Sequence, residues 1–433
     1  MDADASALTD LETAVLDALD PEALLADLRE LVASAPVGGT AGEVAVQRWG
    51  AQRLRDLGFT VREWDVDLAA ARTGPGHPGE EVDRDHLVAV VGEWGGTGDE
   101  RPALVLCGHT DVVPAGDRDR WRTDPFALHV EGEGDARVVA GRGTCDMLGG
   151  VAAVLAAARA LTGSGVSTTR RLAVHLVSGE EDGGVGAHAT LAAGHGGEAC
   201  VIAEPTGGAV VPANAGSLTF RLEVRGRSAH GCTRTLGESA LDHLPGVLAA
   251  LRELEAARNA GAPDAFAHLD LVAPISVGIL RAGEWASTVP DQLFAEGRYG
   301  VLPGEPLDEA RAAFEAAVAG LGARDPWLRE HPVAVSWPGG AFAPGALAEG
   351  HPLLDQTLDA AVGAGAGRPR VQGAPYGSDL RHYTAHGIPT LQYGPGHLVA
   401  AHAVDESVTL RELMACARTY ALLALRRCGA TAP

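Results

Sequence analysis

The sequence predicts an α/β protein: a mixed-sheet domain interrupted by an inserted ferredoxin-like βαββαβ domain. Three observations predict it. Short apolar runs alternate with stretches of helical period up to about residue 208, as strands covered by helices would. After that point the order becomes strand, helix, strand, strand, helix, strand, which is the ferredoxin-like succession. From residue 341 helix and strand alternate again. We therefore expect one domain at 1–208 plus 341–433 and a second at 209–340.

The elements follow in order. Residues 10–33 place apolar side chains at helical spacing, and a second helical stretch covers 40–57. FTVREWDVDL (59–68) reads as a strand. HLVAVVGEW (86–94) and PALVLCGHTDVV (102–113) read as a pair of strands, the second reaching His109 and Asp111. Gly149 to Leu161 is an Ala-rich helix. RRLAVHLVSGEE (170–181) and ACVIAEPT (199–206) are apolar strands that end in carboxylates. In the insert, SLTFRLEVRG (217–226) alternates with period two. A helix follows at about 237–256, then strands at about 273–280 and 293–300, a helix at about 305–321 and a strand at 332–338. Strand PTLQYGPG (389–396) and a long helix from about 406 complete the pattern.

Composition narrows the function. The chain has 433 residues, 34 Lys plus Arg against 57 Asp plus Glu, and a formal net charge of −23. All the cations are arginine. Such a charge disfavours nucleic acid and anionic membranes as partners. Hydrophobic residues make up 46% and aromatics 4%, so the core is mostly Ala, Val and Leu. No apolar run reaches the ~18 residues of a membrane span. The acidic start, MDADASALTDLETAVLDALD, reads as an amphipathic helix without the basic start and apolar centre of a secretory signal, so a cytoplasmic location is expected. The six cysteines (107, 145, 200, 232, 416, 428) are scattered without a CxxC pair, which argues against cysteine-held zinc or a disulfide framework.

The chemistry gathers in GHTDVVP (108–114), GRGTCDMLGG (141–150), SGEEDGGVGA (178–187), AEPT (203–206) and GPGHLVAAHAVDE (394–406). Three of these close apolar strands, and in open α/β sheets the site lies at the carboxyl ends of the strands. Together they offer His109, Asp146, Glu181, Glu204 and His402, with Asp111 and Glu180 beside them. Two imidazoles and three carboxylates suit zinc, cobalt or manganese, and do not suit copper(I) or iron–sulfur centres. Were one carboxylate to bridge, the set would serve two ions sharing a hydroxide. Of two adjacent glutamates, one can bind metal while the other handles the water's proton. Asp111, two residues beyond His109 on an extended segment, can accept a hydrogen bond from the ring nitrogen that does not bind metal. The G-x-G of GRGTCDMLGG lacks the spacing of a nucleotide loop. Cys107 reads as a packed thiol, and no G-x-S-x-G elbow is present.

These five segments, in this order and with a βαββαβ insert before the last, resemble the M20 family of metallopeptidases and amidohydrolases. The resemblance covers essentially the whole chain. It implies a zinc-peptidase-like catalytic domain with a lid and dimerisation insert. It gives one metal to His109, Asp146 and Glu204 and the other to Asp146, Glu181 and His402, with Asp146 bridging. It makes Glu180 the general base and Asp111 the orienting acid, and implies a cis peptide at Asp146–Met147. In GRSAHGCTRTLGESAL (226–241) it implies that His230 crosses a dimer interface to stabilise the oxyanion. GEWASTVPD (283–291) resembles a further family stretch, with Ser287 where Asn is common, and Arg298 follows it as a substrate-binding residue. In PYGSDLRHY (375–383), Gly377 and Ser378 would flank the scissile group, and Arg381 would pair with a substrate carboxylate. Leu148 and Gly231–Cys232–Thr233 depart from the commoner residues without removing a metal ligand.

The expected protein is a homodimeric dimetal amidohydrolase acting on a small N-acyl amino acid, acetylornithine deacetylase-like. Succinyl-diaminopimelate desuccinylase-like, N-formyl-aminopyrimidine deformylase-like and dipeptidase or carboxypeptidase activities are alternatives. A catalytically silent metal-binding dimer is the alternative of another class.

Overall fold

The computed structural model describes residues 8–74, 76–98, 100–261 and 263–431; residues 1–7, at the start of the expected first helix, lie outside the described residues. Two compact units emerge. One holds the described residues through Pro212, Ala346–Gln372 and those from Asp379 onward, and the other holds Ala213–Gly345 and Gly373–Ser378.

The first unit is built on six strands: β1 (Thr60–Asp65), β2 (Val88–Trp94), β3 (Leu104–His109), β4 (Leu172–Val177), β5 (Cys200–Ile202) and β6 (Thr390–Gln392). Their order is β1-β2-β4-β3-β5-β6. β1, β2 and β4 run antiparallel to their neighbours in turn, whereas β4, β3, β5 and β6 are parallel. The sheet is mixed. β2 and β3, a pair by sequence, are separated by β4. Every residue of β3, β4 and β5 is buried, as strands covered on both faces must be.

Helices cover this sheet. Leu148–Gly163 is buried along most of its length and packs against Pro21–Ala33 and Leu410–Cys428. Val151, Val154, Leu155 and Leu161 are at most 1% exposed, each stabilising the fold by ~1.5–3 kcal/mol. A Cβ on Gly150 would come within 2.2 Å of the Ala203 carbonyl, so the glycine lets the helix start approach the end of β5. The last helix begins at Leu410 rather than near 406, because Ser407–Thr409 pairs with Val138–Ala140 as a strand. Thr409 and Glu412 form a capping box there, fixing the start. Among the described residues no helix is long and apolar enough to cross a membrane.

The second unit is ferredoxin-like. Strand Gly216–Arg225 alternates buried and half-buried residues. Helix Leu244–Asn259, strands Ile275–Ala282 and Gln292–Val301, helix Leu307–Ala319 and strand Ala334–Ser336 follow. Spatially, the second strand lies beside the third, the third beside the first, and the first beside the fourth, all antiparallel. Phe220, Tyr299 and Phe314 are fully buried between sheet and helices.

The boundaries differ from the expected ones at three places. Residues 341–345, expected in the first domain, stay with the second, where Ala341 and Phe342 pair with Leu218 and Ser217. Gly373–Ser378, expected in the first domain, belongs to the second. The Gly373 amide donates to the Ala265 carbonyl and the Ala374 amide to that of Ala213, and a Cβ on Gly373 would collide with the Phe266 ring. Residues 209–212 stay with the first unit, where Val210 pairs with Arg370 and Val211 with Gln392.

Candidate metal centre

Parallel pairing creates the site. In register, His109 of β3 faces Val177 of β4, and Cys107 faces Ile202 of β5. The chain therefore leaves β3 at His109, β4 at Ser178–Glu181 and β5 at Ala203–Glu204 on the same edge of the sheet.

His109 is 1% exposed. Its Nδ1 lies 2.9 Å from the Asp111 carbonyl oxygen. A carbonyl only accepts, so Nδ1 carries the proton and Nε2 is free to bind a cation. Nε2 lies 3.2 Å from Asp146 Oδ1 and 4.0 Å from Glu204 Oε2. On the other side of Asp146, His402 Nε2 lies 3.0 Å from Glu181 Oε2 and 3.6 Å from Asp146 Oδ2. His402 holds a left-handed φ of 60° and is half exposed. His397 instead lies 3.5 Å from Glu412. One ligand atom each from His109, Asp146 and Glu204 lies within 4.8 Å of the others, and the same holds for Asp146, Glu181 and His402. Asp146 belongs to both groups.

The donor set fits divalent cations. Glu181 Oε1 and Glu204 Oε1 are buried without a hydrogen-bond partner in the structure. Burial, with Asp146 close by, pushes the Glu204 carboxyl up to about 8 and raises that of Glu181. A cation at each group would supply the missing charge and partners. Glu180 is 7% exposed, and its Oε1 is likewise unpartnered. Burial and then the Glu204 charge hold its carboxyl well above the usual range.

The Asp111 carboxylate differs from its expected contact. Its Oδ1 is 3.7 Å from His109 Nδ1; the backbone carbonyl makes that bond instead. The carboxylate accepts the amides of Glu180 at 3.2 Å and Glu181 at 3.1 Å. One residue thus orients the imidazole through its backbone and the two glutamates through its side chain.

Glu406 escaped the sequence reading. It is 1% exposed. Its Oε1 accepts the amides of Cys145 and Asp146, each at 2.9 Å, and its Oε2 accepts the Gly143 amide at 2.9 Å and Arg142 Nη1 at 2.7 Å. It fixes the loop that carries Asp146, whose peptide to Met147 is cis. The only signal was the Asp405–Glu406 pair that closes the His402 segment. Thr206 ties AEPT to the loop before His402, exchanging hydrogen bonds with Gly394.

The remaining predicted residues make the following contacts within their own units. The Arg381 guanidinium, expected to meet a substrate carboxylate, is 5% exposed and donates to the Gly183 carbonyl, beside the two glutamates. In the second unit, Arg298 Nη2 donates to the Pro375 carbonyl at 2.9 Å, holding the segment that bears Gly377 and Ser378. Ser378 is fully buried, and a Cβ on Gly377 would strike Phe342. His230 is exposed, and its Nδ1 accepts the Cys232 amide at 3.2 Å.

Known proteins share this arrangement of chain. The N-formyl-4-amino-5-aminomethyl-2-methylpyrimidine deformylase of Bacillus subtilis is 27% identical, over 88% of this chain and 87% of its own. A succinyl-diaminopimelate desuccinylase of Stenotrophomonas maltophilia is 32% identical, over 80% and 90%. The dipeptidase Dug1p of Saccharomyces cerevisiae superposes with a TM-score of 0.76 at 14% identity, covering 96% of this chain and 98% of that one. Residues 105–426, from β3 into the last helix, match the sequence profile of peptidase family M20/M25/M40. The chain is therefore a member of that family, a metal-dependent amidohydrolase.

Proposed function

We propose that the chain hydrolyses the amide of a small N-acylated amine, an N-acyl amino acid or a close analogue, releasing a carboxylate and an amine. One observation carries this reading: buried Glu180, with an unpartnered oxygen, stands beside Glu181, whose carboxylate groups with His402 and Asp146. When bound by the two groups that share Asp146, divalent cations (zinc, with cobalt or manganese as alternatives) supply a polarised carbonyl and a more acidic water.

Glu180 takes the proton of the attacking water and returns it to the leaving nitrogen. Its buried, unpartnered Oε1 is free to accept that proton. Asp111 holds Glu180 and Glu181 in place through their amides. His230 contributes an oxyanion donor: with Nδ1 accepting from Cys232, the neutral ring carries its proton on Nε2. A second copy of the chain supplies that ring. The exposed edge strand Ile275–Ala282 supports a dimer, since Ile279 is 44% and Leu280 47% exposed, and bare apolar edges invite pairing. Arg298 holds the segment that bears Gly377 and Ser378.

The named activities of the relatives support a short acyl group, formyl or succinyl. Acetyl on an ornithine-like amine is the narrowest form of the proposal. The test is metal-stripped protein reloaded with zinc, cobalt or manganese and offered N-acetyl, N-formyl and N-succinyl amino acids, a formylaminopyrimidine and dipeptides, with amine release read out. Turnover that vanishes with chelator and returns with metal is expected, and the preferred substrate names the acyl group. Two bound cations without turnover on any substrate would favour a silent metal-binding dimer. Protein that binds no cation overturns the reading.

A further inference from the structure

We propose that Arg84, with Glu43, is a positioning residue for the turn carrying Glu180 and Glu181. This inference rests on the functional reading above. Arg84 lies outside the segments that resemble the family, in the connection leading into β2. Its side chain is 1% exposed. It makes two forked contacts. Nε and Nη2 donate to Glu43 Oε2 and Oε1 at 2.9 and 3.0 Å. Nη1 and Nη2 donate to Asp182 Oδ2 and Oδ1 at 3.1 and 2.9 Å. Asp182 also accepts the amides of Glu81 and Val82, and Glu43 that of Gly39.

Asp182 follows Glu181 directly. The turn that holds all three acids is rich in glycine: Gly179, Gly183 and Gly184 have φ of 71°, 150° and 81°. Such backbone is costly to order and needs outside restraint. Asp111 grips the amides of Glu180 and Glu181, and Arg84 grips the third side chain. The Arg84 guanidinium also crosses the start of the turn, where a Cβ on Gly179 would lie 3.3 Å from its Cζ. Buried forked pairs hold one geometry, because any other leaves a desolvated charge unpaired. A lysine at this position keeps the charge but not the two forks.

Asp27 offers an internal control. It is a buried carboxylate paired with Arg53 at 2.9 Å, near the end of the helix that carries Glu43, and with Arg159 at 2.6 Å, near the end of Leu148–Gly163. The experiment compares wild type, Arg84→Lys, Glu43→Gln and Arg159→Lys. It measures kcat and KM on the best amide of the panel, zinc retained per chain after dialysis, and the unfolding midpoint. For Arg84→Lys we expect kcat to fall 10–100-fold with KM within about twofold. Its zinc should drop from two toward one as the Glu181 and His402 group loosens. Glu43→Gln, which puts an amide donor against the guanidinium, should move both readouts the same way by a smaller factor. Arg159→Lys should lower the midpoint yet keep kcat and both zinc ions. The proposal is overturned if Arg84→Lys and Glu43→Gln retain wild-type kcat and zinc, or if Arg159→Lys loses them equally. Should Arg84→Lys not fold, Glu43→Gln decides by the same readouts. A wild type with neither zinc nor turnover overturns the functional reading, and this inference with it.

Discussion

The two groups that share Asp146 sit in opposite surroundings. His109 and Glu204 are 1% and 4% exposed and project from the ends of parallel strands. His402 is 53% exposed at its side chain, on a turn with left-handed backbone. The first group is therefore held by the sheet, where β3 cannot shift without breaking its pairing to β4 and β5. The second is held by a loop that Glu406, Thr206 and the Glu180–Asp182 turn must keep in place. One shared carboxylate thus joins a buried, strand-held group to an exposed, loop-held one. That difference implies that the two positions fail in different ways.

The largest effect should come from the residue the groups share. Asp146→Asn removes charge from both, so hydrolysis should fall by roughly 10⁴-fold or more and retained metal should drop at both positions. Metal analysis beside a kinetic assay checks this, and a variant still holding two cations would mean that Asp146 does not bridge. Glu180→Gln separates chemistry from metal holding. It should lose roughly 10²–10⁴-fold in kcat while keeping both cations, and surviving turnover would remove Glu180 as the base. The comparison itself is tested by His402→Ala against His109→Ala. The first should leave about one cation per chain and an almost unchanged unfolding midpoint. The second leaves a cavity and an unpartnered Asp111 carbonyl, so it should also lower stability, by about 1–3 kcal/mol. Equal midpoints for the two variants would break the proposed asymmetry.

The same asymmetry explains what could be read in the sequence. His109, Glu181 and Glu204 were legible because each ends or closely follows an apolar strand, and strand ends of a parallel sheet meet along one edge. His402 was legible as a metal-compatible group of its segment, but its place beside the others came from the resemblance, since nothing local fixes where a loop returns. The ferredoxin-like insert was legible from its order of elements and from the period-two alternation of Gly216–Arg225. Gly373–Ser378 was not, because its assignment depends on backbone pairing with Ala265 and Ala213, a long-range match that no periodicity encodes. Glu406, Glu43 and Arg84 were invisible for a related reason. A charged residue in a loop, or in the first turn of a helix as Glu43 is, reads as solvated, and only the folded chain reveals that it is buried against amides or another charge.

The smallest effect concerns the floor beneath the rigid group. His175 is fully buried in β4, with Nδ1 2.8 Å from the Tyr383 hydroxyl, which in turn lies 3.2 Å from Cys107 Sγ in β3. Burial pushes this imidazole down from 6.5 to about 3. The unfolded chain therefore binds a proton below pH 6.5 that the folded chain refuses. Stability from this group is complete above the unfolded value and drains away as pH falls toward the folded one. Between pH 7 and pH 5 the loss is about 2 kcal/mol. His175→Phe removes the titration at the expense of one hydrogen bond, about 1 kcal/mol at neutral pH. Urea unfolding at both pH values should then show the variant weaker at pH 7 but losing about 2 kcal/mol less than wild type on moving to pH 5. An identical loss in both proteins would mean that acid attacks the fold elsewhere. The sheet beneath His109 would then owe none of its acid sensitivity to His175.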